Sequence, residues 1–313
     1  MKTSKLLLLA AACVPGLVLA AAPADPAPDH TAGEQPCDAQ AKAVLQAAQE
    51  QAEADFWLAV ARCINDPEGP LSQCLAQAER ERDEALELAE DQHQARLKLC
   101  AALGHGRYDP PIRPSEFSPD ITNNYFPHVP GRTLVYEKTT AKGLEHLEVT
   151  ALDRTVVIDG VECRAVRDVE ALNGQVVEDT EDWFSQHRNG NVWYFGEFVL
   201  NYDEDGFVED IDGSFRAGVD GAKPGILMLA APARGDLYRQ EFFINEAEDV
   251  GLVLSLNETV TVPYGTFNNC LQTLDGSPIE PDAREHKYYA PGIGLVLEVD
   301  LEKGERLELI AIR

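Results

Sequence analysis

The chain has 313 residues and a formal net charge of −28 at pH 7, from 54 Asp and Glu against 26 Lys and Arg. Nucleic acids and anionic membrane surfaces would repel so acidic a protein, so neither is expected as a partner. The length allows two domains and a sizeable core. The acidic excess fits surface solubility or an ability to attract cations, and composition does not decide between the two.

The first twenty residues have the pattern of a secretory signal peptide. Two lysines precede an apolar stretch that ends in small residues before Ala21. This stretch is too short and too rich in alanine for a membrane span, so none is predicted. We expect a periplasmic or secreted protein with a Pro- and Ala-rich linker at residues 21–36. The residues before Cys13 also resemble a lipoprotein signal, and an envelope lipoprotein with a lipid anchor at Cys13 is the alternative.

Six further cysteines predict a disulfide framework, because an even number in an exported protein is typical of paired thiols. Four of them lie in residues 37–103, which are rich in Ala, Gln, Glu and Leu and are interrupted at residues 65–70. Two prolines and a glycine in that interruption cannot continue a helix. The pattern predicts an antiparallel pair of helices, here called the helical hairpin.

The spacing of the four cysteines predicts how they pair. Cys37 lies 26 residues before Cys63, and Cys74 lies 26 residues before Cys100. Within one helix that separation is about 39 Å, which no disulfide can bridge. In an antiparallel hairpin, facing positions have a constant sum of residue numbers, so we predict the disulfides Cys37–Cys100 and Cys63–Cys74.

The same register places small residues along the contact between the helices and sets Asp55 opposite Arg82, which predicts an ion pair. An aromatic and aliphatic group lies off this contact and needs another surface. Docking on the second domain is the favoured interpretation, and a partner-protein surface is the alternative. The group consists of Phe56, Trp57, Leu58 and Val60.

After a Pro-rich linker at residues 104–131, residues 132–313 alternate β-branched and aromatic residues and predict an antiparallel β domain. Four two-residue turn signals favour type I′ hairpins and an up-and-down meander from about Thr155 to Ile211. The turns are Asp159-Gly160, Asn173-Gly174, Asn189-Gly190 and Asp205-Gly206. Further strands are predicted at residues 134–138, 238–243, 252–262, 267–274, 287–290, 296–300 and 307–312. The fold class is therefore α+β, with the strands forming a roll or a barrel-like sheet.

A two-residue turn at Asn189-Gly190 would set Phe184 opposite Phe195 and Gln186 opposite Trp193. Trp183, Ser185 and His187 would then share the other face of this hairpin with Tyr194 and Val192. Because both faces carry aromatics, we expect the hairpin to be covered on both sides or to line a cavity. Cys163 and Cys270 remain after the helical pairs, and we predict that they form a third disulfide.

Five stretches resemble a group of exported bacterial proteins that have no known activity. They are residues 124–127, 189–197, 238–241, 262–267 and 288–296. The last two also resemble β-rich lipoprotein domains of cell envelopes. The resemblance implies a Cys-paired helical hairpin before a β-rich domain, and it favours binding or envelope roles over catalysis.

Catalytic and metal-binding motifs are absent from the sequence: there is no G-x-S-x-G, H-x-x-x-H or H-E-x-x-H. One alternative is a hydrolase whose site is assembled from His187, Glu241 and His286. Another is a calcium-stabilised structural protein, because acidic turns favour calcium. The candidate calcium ligands are Asp203, Asp205, Asp210 and Asp212, for which a solvated acidic loop is the simpler interpretation.

Residues 213–235 contain five glycines around an apolar run and are predicted as a loop over the open face of the sheet. That face could hold an apolar molecule, although ordinary core packing also explains its aromatics. The candidate ligand-binding residues are Trp183, Trp193, Tyr194, Phe195, Tyr238 and Glu241. We expect a non-enzymatic envelope or secreted protein that binds an apolar or amphipathic small molecule, or a partner protein. No cofactor is expected except a weakly bound calcium ion.

Overall fold

The computed structural model describes residues 35–66 and 69–313. The predicted signal peptide, Cys13 and most of the first linker lie outside the described residues. Two helices, α1 (Pro36–Asn65) and α2 (Leu71–Leu103), form the predicted hairpin. Both predicted disulfides are confirmed, with Cα–Cα distances of 5.8 Å for Cys37–Cys100 and 5.6 Å for Cys63–Cys74.

Small side chains fill the contact between the helices, as the register predicted, and Ala41, Ala52, Ala78 and Ala89 are buried there. The predicted ion pair between Asp55 and Arg82 is wrong. The Arg82 guanidinium instead pairs with two other carboxylates, at 2.8 Å from Asp83 and 4.0 Å from Glu53. It also lies 4.6 Å above the ring of Phe56, which holds it beside α1.

The expectation that the off-contact aromatics of α1 dock on the β domain is also wrong. Trp57 is 64% exposed and Leu58 is 55% exposed. The hairpin instead contacts the β domain at the end where α1 begins and α2 ends. There the guanidinium of Arg96 donates to the carboxylate of Glu248 at 2.6 Å. Both side chains are buried, so this is a desolvated ion pair that joins the two parts of the molecule.

The β domain is one large antiparallel sheet of sixteen strands among the described residues. The strands are β1 (Phe117–Ser118), β2 (Thr133–Thr140), β3 (Gly143–Ile158), β4 (Val161–Leu172), β5 (Gln175–His187), β6 (Val192–Tyr202), β7 (Val208–Asp210), β8 (Phe215–Arg216), β9 (Lys223–Met228), β10 (Leu237–Arg239), β11 (Glu241–Phe242), β12 (Val250–Val262), β13 (Gly265–Gly276), β14 (Arg284–Ala290), β15 (Gly294–Asp300) and β16 (Arg306–Ile312). The further strands predicted after residue 132 are present, except that the one predicted at residues 238–243 is divided at Gln240 into β10 and β11. The predicted α+β class is confirmed.

The sheet curls into a nearly closed barrel because one short segment pairs with both of its ends. The strand order runs β10-β12-β13-β14-β15-β16-β2-β3-β4-β5-β6-β9-β11. Residues 237–242, here called the closure segment, contain β10, which pairs with β12, and β11, which pairs with β9. The chain therefore crosses from one end of the sheet to the other at Gln240.

Gly225 on β9 allows this crossing. A Cβ atom at Gly225 would lie 2.3 Å from the carbonyl carbon of Gln240 and 2.6 Å from the backbone nitrogen of Glu241. No side chain can be accommodated at that distance, so glycine is required for the backbones to meet. The backbone nitrogen of Gln240 then donates to the carbonyl of Asp249 at 2.8 Å, which fixes the closure segment against the strand that follows it.

Each of the four turn signals predicted in the sequence connects two strands, and the meander from β3 to β7 is confirmed. The predicted register at Asn189-Gly190 is wrong by one residue, since Phe184 pairs with Tyr194 rather than Phe195. The loop is longer than two residues: the backbone nitrogen of His187 donates to the carbonyl of Asn191. Gly190 has a φ of +92°, as in a three-residue loop that ends in a left-handed glycine.

Two regions predicted as irregular contain strands. Residues 213–235 are not simply a loop, because β8 and β9 within them pair with β6 and extend the sheet to the closure segment. In the predicted linker at residues 104–131, β1 pairs with β5, and Ile121 is buried in the barrel core. Backbone pairing at a sheet edge gives no alternating hydrophobic signal when the strand is only two to six residues long.

The predicted Cys163–Cys270 disulfide is wrong, and both residues are buried free thiols. Cys163 lies on β4 in a cluster with Ile158 and Phe195, which covers the outer face of the sheet. Cys270 lies on β13 in a cluster inside the barrel, with Leu134 and Val260 among its members. The two strands are far apart in the sheet order, so elimination among the cysteines could not identify a true pair.

The outer disulfide of the hairpin should contribute more stability than the inner one. Cys37–Cys100 closes a sequence separation of 63 residues and Cys63–Cys74 one of 11. Chain entropy predicts losses of about 4 and about 3 kcal/mol on their removal. We expect Cys37→Ser/Cys100→Ser to unfold at a lower temperature than Cys63→Ser/Cys74→Ser when followed by circular dichroism. The reverse order would contradict the dependence of stability on the length of the closed loop.

Adding one methyl group at the closure point should open the barrel. Gly225→Ala forces the backbones of β9 and the closure segment apart, and we expect a loss of about 1–3 kcal/mol in the free energy of unfolding. The matched control is Gly265→Ala, where no described atom lies within 4 Å of the new Cβ. Urea unfolding of both variants measures the difference, and equal stabilities would show that the barrel does not depend on this contact.

Candidate functional site

A cavity of about 340 Å³ is lined by residues of the barrel. One side of it is apolar and is formed mainly by β16, β2 and β3 with neighbouring side chains of β15. Leu134, Leu147, Val149, Leu295 and Leu307 line this side. Phe126 and His128, from the linker predicted at residues 104–131, also line the cavity. A cavity of this size can hold a small organic molecule.

Acidic side chains dominate the polar part of the lining. Seven carboxyl groups and one lysine of the described residues face the cavity. They divide into two groups by position. Four carboxyl groups lie on β4, β5, β6 and β11 and are called the carboxylate wall: Asp168, Asp182, Glu197 and Glu241. A second group, called the lysine cluster, contains Lys287, Asp275 and Glu298, with Asp249 nearby.

Two members of the carboxylate wall are direct cross-strand neighbours. Asp182 on β5 pairs with Glu197 on β6. Like charges in that arrangement repel each other. The Tyr194 hydroxyl donates to Oδ1 of Asp182 at 2.5 Å, and this hydrogen bond stabilises one of the two carboxylates. The arrangement opposes the stability of the sheet when both groups are ionised.

A bulge in β6 turns Glu197 toward the cavity. Between the pairs Phe184–Tyr194 and Asp182–Glu197, β6 has one residue more than β5. Gly196 lies in this bulge with a φ of +131°, and a Cβ there would lie 2.3 Å from the carbonyl oxygen of Phe215. The glycine therefore allows β8 to approach β6 while Glu197 faces inward.

Burial is the main cause of the raised pKa values in the carboxylate wall. It raises the pKa of Asp182 to about 7, against the opposing effect of the Tyr194 hydrogen bond. Burial, reinforced by the charges of Asp182 and Glu241, raises the pKa of Glu197 to about 10. Burial also raises the pKa of Asp168 and that of Glu241, each with a contribution from neighbouring carboxylates. Much of the wall is therefore protonated at neutral pH in the protein without a ligand.

The lysine cluster is better compensated than the carboxylate wall. Lys287 Nζ lies 3.8 Å from Oδ2 of Asp275 and 3.6 Å from Oε2 of Glu298. Burial acts to lower the pKa of Lys287, but the surrounding carboxylates outweigh it and the pKa is raised. Lys287 also acts on Glu241, although burial and other carboxylates outweigh this effect. The single positive charge of Lys287 therefore cannot neutralise all of the carboxylates near it.

Some polar atoms at the cavity lack a hydrogen-bond partner among the described residues. They include Oδ1 of Asp168, Oδ1 of Asp275 and Nε2 of His128. Asp275 is only 5% exposed, and its other oxygen accepts a hydrogen bond from Nε2 of Gln240 at 2.9 Å. Burial lowers the pKa of His128 to about 3, so its ring is neutral and adds no positive charge. Unpartnered buried oxygens cost free energy unless a ligand or water binds them.

The structure places the six candidate ligand-binding residues on two sides of the sheet. Tyr194 and Glu241 line the cavity, and Tyr238 packs in the core beside it. Trp183, Trp193 and Phe195 lie on the outer face with Phe117 and Ala217. Both faces of the β5–β6 hairpin are covered, as expected. The residues on each face differ from the predicted ones because Phe184 pairs with Tyr194 rather than with Phe195.

The hydrolase residues are not brought together. Glu241 lines the cavity, whereas Nε2 of His187 lies 3.1 Å from Oε2 of Glu116 on the outer face. His286 is not among the residues that line the cavity and has its ring 6.3 Å from that of Tyr288. His187, Glu241 and His286 therefore do not form a shared catalytic site.

The candidate calcium ligands mainly stabilise their own turns. Oδ1 of Asp203 accepts from the backbone nitrogens of Asp205 and Phe207, and Oδ1 of Asp210 accepts from that of Asp212. Within residues 35–66 and 69–313, no group of three or more His, Cys, Asp or Glu side chains is arranged to hold a metal ion. Weak calcium binding at these turns stays a prediction.

Sequence reasoning missed most of the acidic lining. The predicted site did not include Asp182, although its even spacing from Phe184 places both on one face of β5. Glu197 could not be assigned to the inner face by alternation, because the bulge at Gly196 reverses it. Lys287 and Glu298 have the period-two pattern of buried strand positions, but each is a charged residue that normally indicates the solvent face.

Comparisons with known proteins add little to this description. No protein-family model and no curated protein sequence matches the chain. One solved structure, described as a "putative lipoprotein" from Parabacteroides distasonis ATCC 8503, is similar at 14% identity. The match covers 61% of this chain and 99% of that chain with a TM-score of 0.33. That score is too low to establish a common fold, so the resemblance to exported bacterial proteins stays a prediction.

The two disulfides identify the compartment in which the protein works. Such bonds form and persist in oxidising surroundings outside the cytoplasm. The protein is therefore periplasmic, secreted or attached to the cell envelope. Among the helices in the described part of the chain, none has the length and apolar character that a membrane crossing needs.

The carboxylate wall should make the protein without ligand less stable as the pH rises. Asp182 and Glu197 keep their protons in the folded state but lose them near pH 4 when unfolded. Each group therefore reduces stability from about pH 4 up to its folded pKa, by about 1.4 kcal/mol for each pH unit. We expect a lower melting temperature at pH 8 than at pH 5.

The neutral variants Asp182→Asn and Glu197→Gln remove these titrations. We expect both to flatten the pH dependence measured by differential scanning calorimetry, and Glu197→Gln to do so up to higher pH. The control variant Glu204→Gln removes an exposed charge in the turn after β6 and should leave the slope unchanged. A slope as steep as that of the wild type in both variants would show that Asp182 and Glu197 are ionised in the folded state.

Proposed function

We propose that this protein is an exported or envelope-associated binding protein that holds a small amphipathic molecule in the cavity of its β domain. The observation that supports the proposal most directly is the cavity itself, where an apolar side faces a polar side with unpartnered buried oxygens. Water-filled polar cavities and empty apolar cavities are both common, but a cavity with both kinds of wall is suited to an amphipathic ligand.

Binding is favoured over catalysis because the described residues that line the cavity include no serine, threonine or cysteine to act as a nucleophile. The carboxylate of Asp182, which could act as a base, accepts the hydrogen bond of the Tyr194 hydroxyl instead. His128, the histidine at the cavity, has its pKa lowered to about 3 by burial and cannot serve as a base near neutral pH.

A cavity-filling substitution tests the proposal. Val149→Phe adds a ring to the apolar side of the cavity, whereas Val157→Phe adds the same ring on the same strand at a position that is 58% exposed. We expect the neutral dye N-phenyl-naphthylamine to bind with saturable fluorescence to the wild type and to the Val157 variant. Its affinity for the Val149 variant should fall about tenfold or more, which corresponds to about 1.4 kcal/mol.

Native mass spectrometry of the freshly purified protein provides a second test. We expect a bound small molecule that is present in the wild type and reduced in the Val149 variant. Dye fluorescence that does not saturate, together with unliganded protein in every preparation, would contradict a binding function. Equal dye affinities for the two phenylalanine variants would show that binding occurs outside the cavity.

A further inference from the structure

We propose that the ligand is an organic cation, with an ammonium group against the carboxylate wall and an apolar body against the side formed by β16, β2 and β3. This inference rests on the binding function proposed above and specifies its ligand class. It follows from three features of the cavity: the imbalance of charge, the unpartnered oxygens and the position of the aromatic rings.

The charge imbalance comes first. Seven carboxyl groups and one lysine of the described residues line the cavity, and the lysine lies with Asp275 and Glu298. On Asp168, Asp182 and Glu197 the neighbouring charges that act are those of other carboxylates. Ionising these buried groups without a counter-charge is costly, so much of the wall keeps its protons. An ammonium group placed there would stabilise the ionised form as protons are released, whereas an anion would not.

The unpartnered oxygens supply the second, independent feature. Asp275 is 95% buried, and its Oδ1 has no hydrogen-bond partner among the described residues although Gln240 satisfies its Oδ2. Oδ1 of Asp168 is likewise buried, and it has no hydrogen-bond partner among the described residues. Each of these oxygens can accept a hydrogen bond, so a ligand with N–H or O–H donors would satisfy them.

The aromatic rings supply the third. Phe184 and Tyr194 lie on β5 and β6 between members of the wall, with ring centroids 4.7 Å apart and nearly parallel planes. Phe126 lies 5.3 Å from Phe184. The ring of His128 also stacks on Phe184, with the two ring centroids 5.5 Å apart. The stacked rings therefore provide an apolar surface beside the wall, which suits the apolar body of an amphipathic cation.

A bare metal ion fits this arrangement less well than an organic cation. A metal needs several ligands converging on one point, and the described residues contain no such group. The carboxyl groups are instead distributed over four strands, while Leu134, Leu147, Leu295 and Leu307 cover the other side of the cavity. That division matches a molecule with a charged end and an apolar end.

Three probes with one apolar body and different head groups test the inference: octylammonium, octanol and octanoate. Isothermal titration calorimetry on the wild-type protein near neutral pH measures each affinity. We expect one octylammonium to bind per chain at least tenfold more tightly than octanol, and octanoate to bind most weakly. Because this comparison uses the unmodified protein, it does not depend on the folding of any variant.

Variants locate the cation. In Asp182→Asn/Glu197→Gln the preference for octylammonium over octanol should fall at least tenfold, while octanol binding should be retained. The matched control Glu204→Gln/Asp205→Asn removes the same number of charges from the turn after β6 and should keep the preference. Val149→Phe should weaken both probes if they occupy the cavity rather than the acidic surface.

The outcomes separate this inference from the proposed function. Octanol or octanoate binding as tightly as octylammonium, in a manner that Val149→Phe weakens, would overturn the cation inference and leave the binding function intact. Undiminished octylammonium preference in the Asp182/Glu197 variant would also overturn it. Failure of all three probes, together with no saturable dye binding, would overturn both.

Discussion

The closure of the barrel by residues 237–242 is the constraint on which the rest of the structure depends. A single crossing at Gln240 connects β12 with β9, and Gly225 makes the crossing sterically possible. The crossing residue also lines the cavity, where its side chain donates to Asp275. Closure and the polar site are thus properties of the same few residues. Without closure the carboxyl groups would lie in an open, hydrated groove and would be ordinary surface acids.

The helical hairpin is tied to this closure. Arg96 of α2 forms a buried ion pair with Glu248, in the connection between the closure segment and β12, and Glu248 also accepts from the backbone nitrogen of Asn245. Removing one member of such a pair would leave an uncompensated buried charge. Cys37–Cys100 lies at the same end of the hairpin. The disulfides therefore stiffen the element that contacts the segment closing the barrel.

Local signals in the sequence predicted much of this fold, because the relevant interactions are short in range. Cysteine spacing determined the pairing in the hairpin, and glycine turns located the strands of the meander. The site was less accessible. Glu197 faces inward through the bulge at Gly196, and Lys287 is buried by strands distant in sequence. Likewise Cys163 and Cys270 lie on different faces of the sheet, which their number and spacing do not reveal.

The central claim is that the barrel shields the carboxyl groups of its cavity from water and that these groups bind a cationic ligand. The most direct measurement is the titration of the Asp182 and Glu197 carboxyl carbons by nuclear magnetic resonance in the ligand-free protein. The account predicts a pKa of about 7 for Asp182 and a higher one for Glu197. Values near 4 for both groups, as in carboxyl groups freely exposed to water, would contradict it.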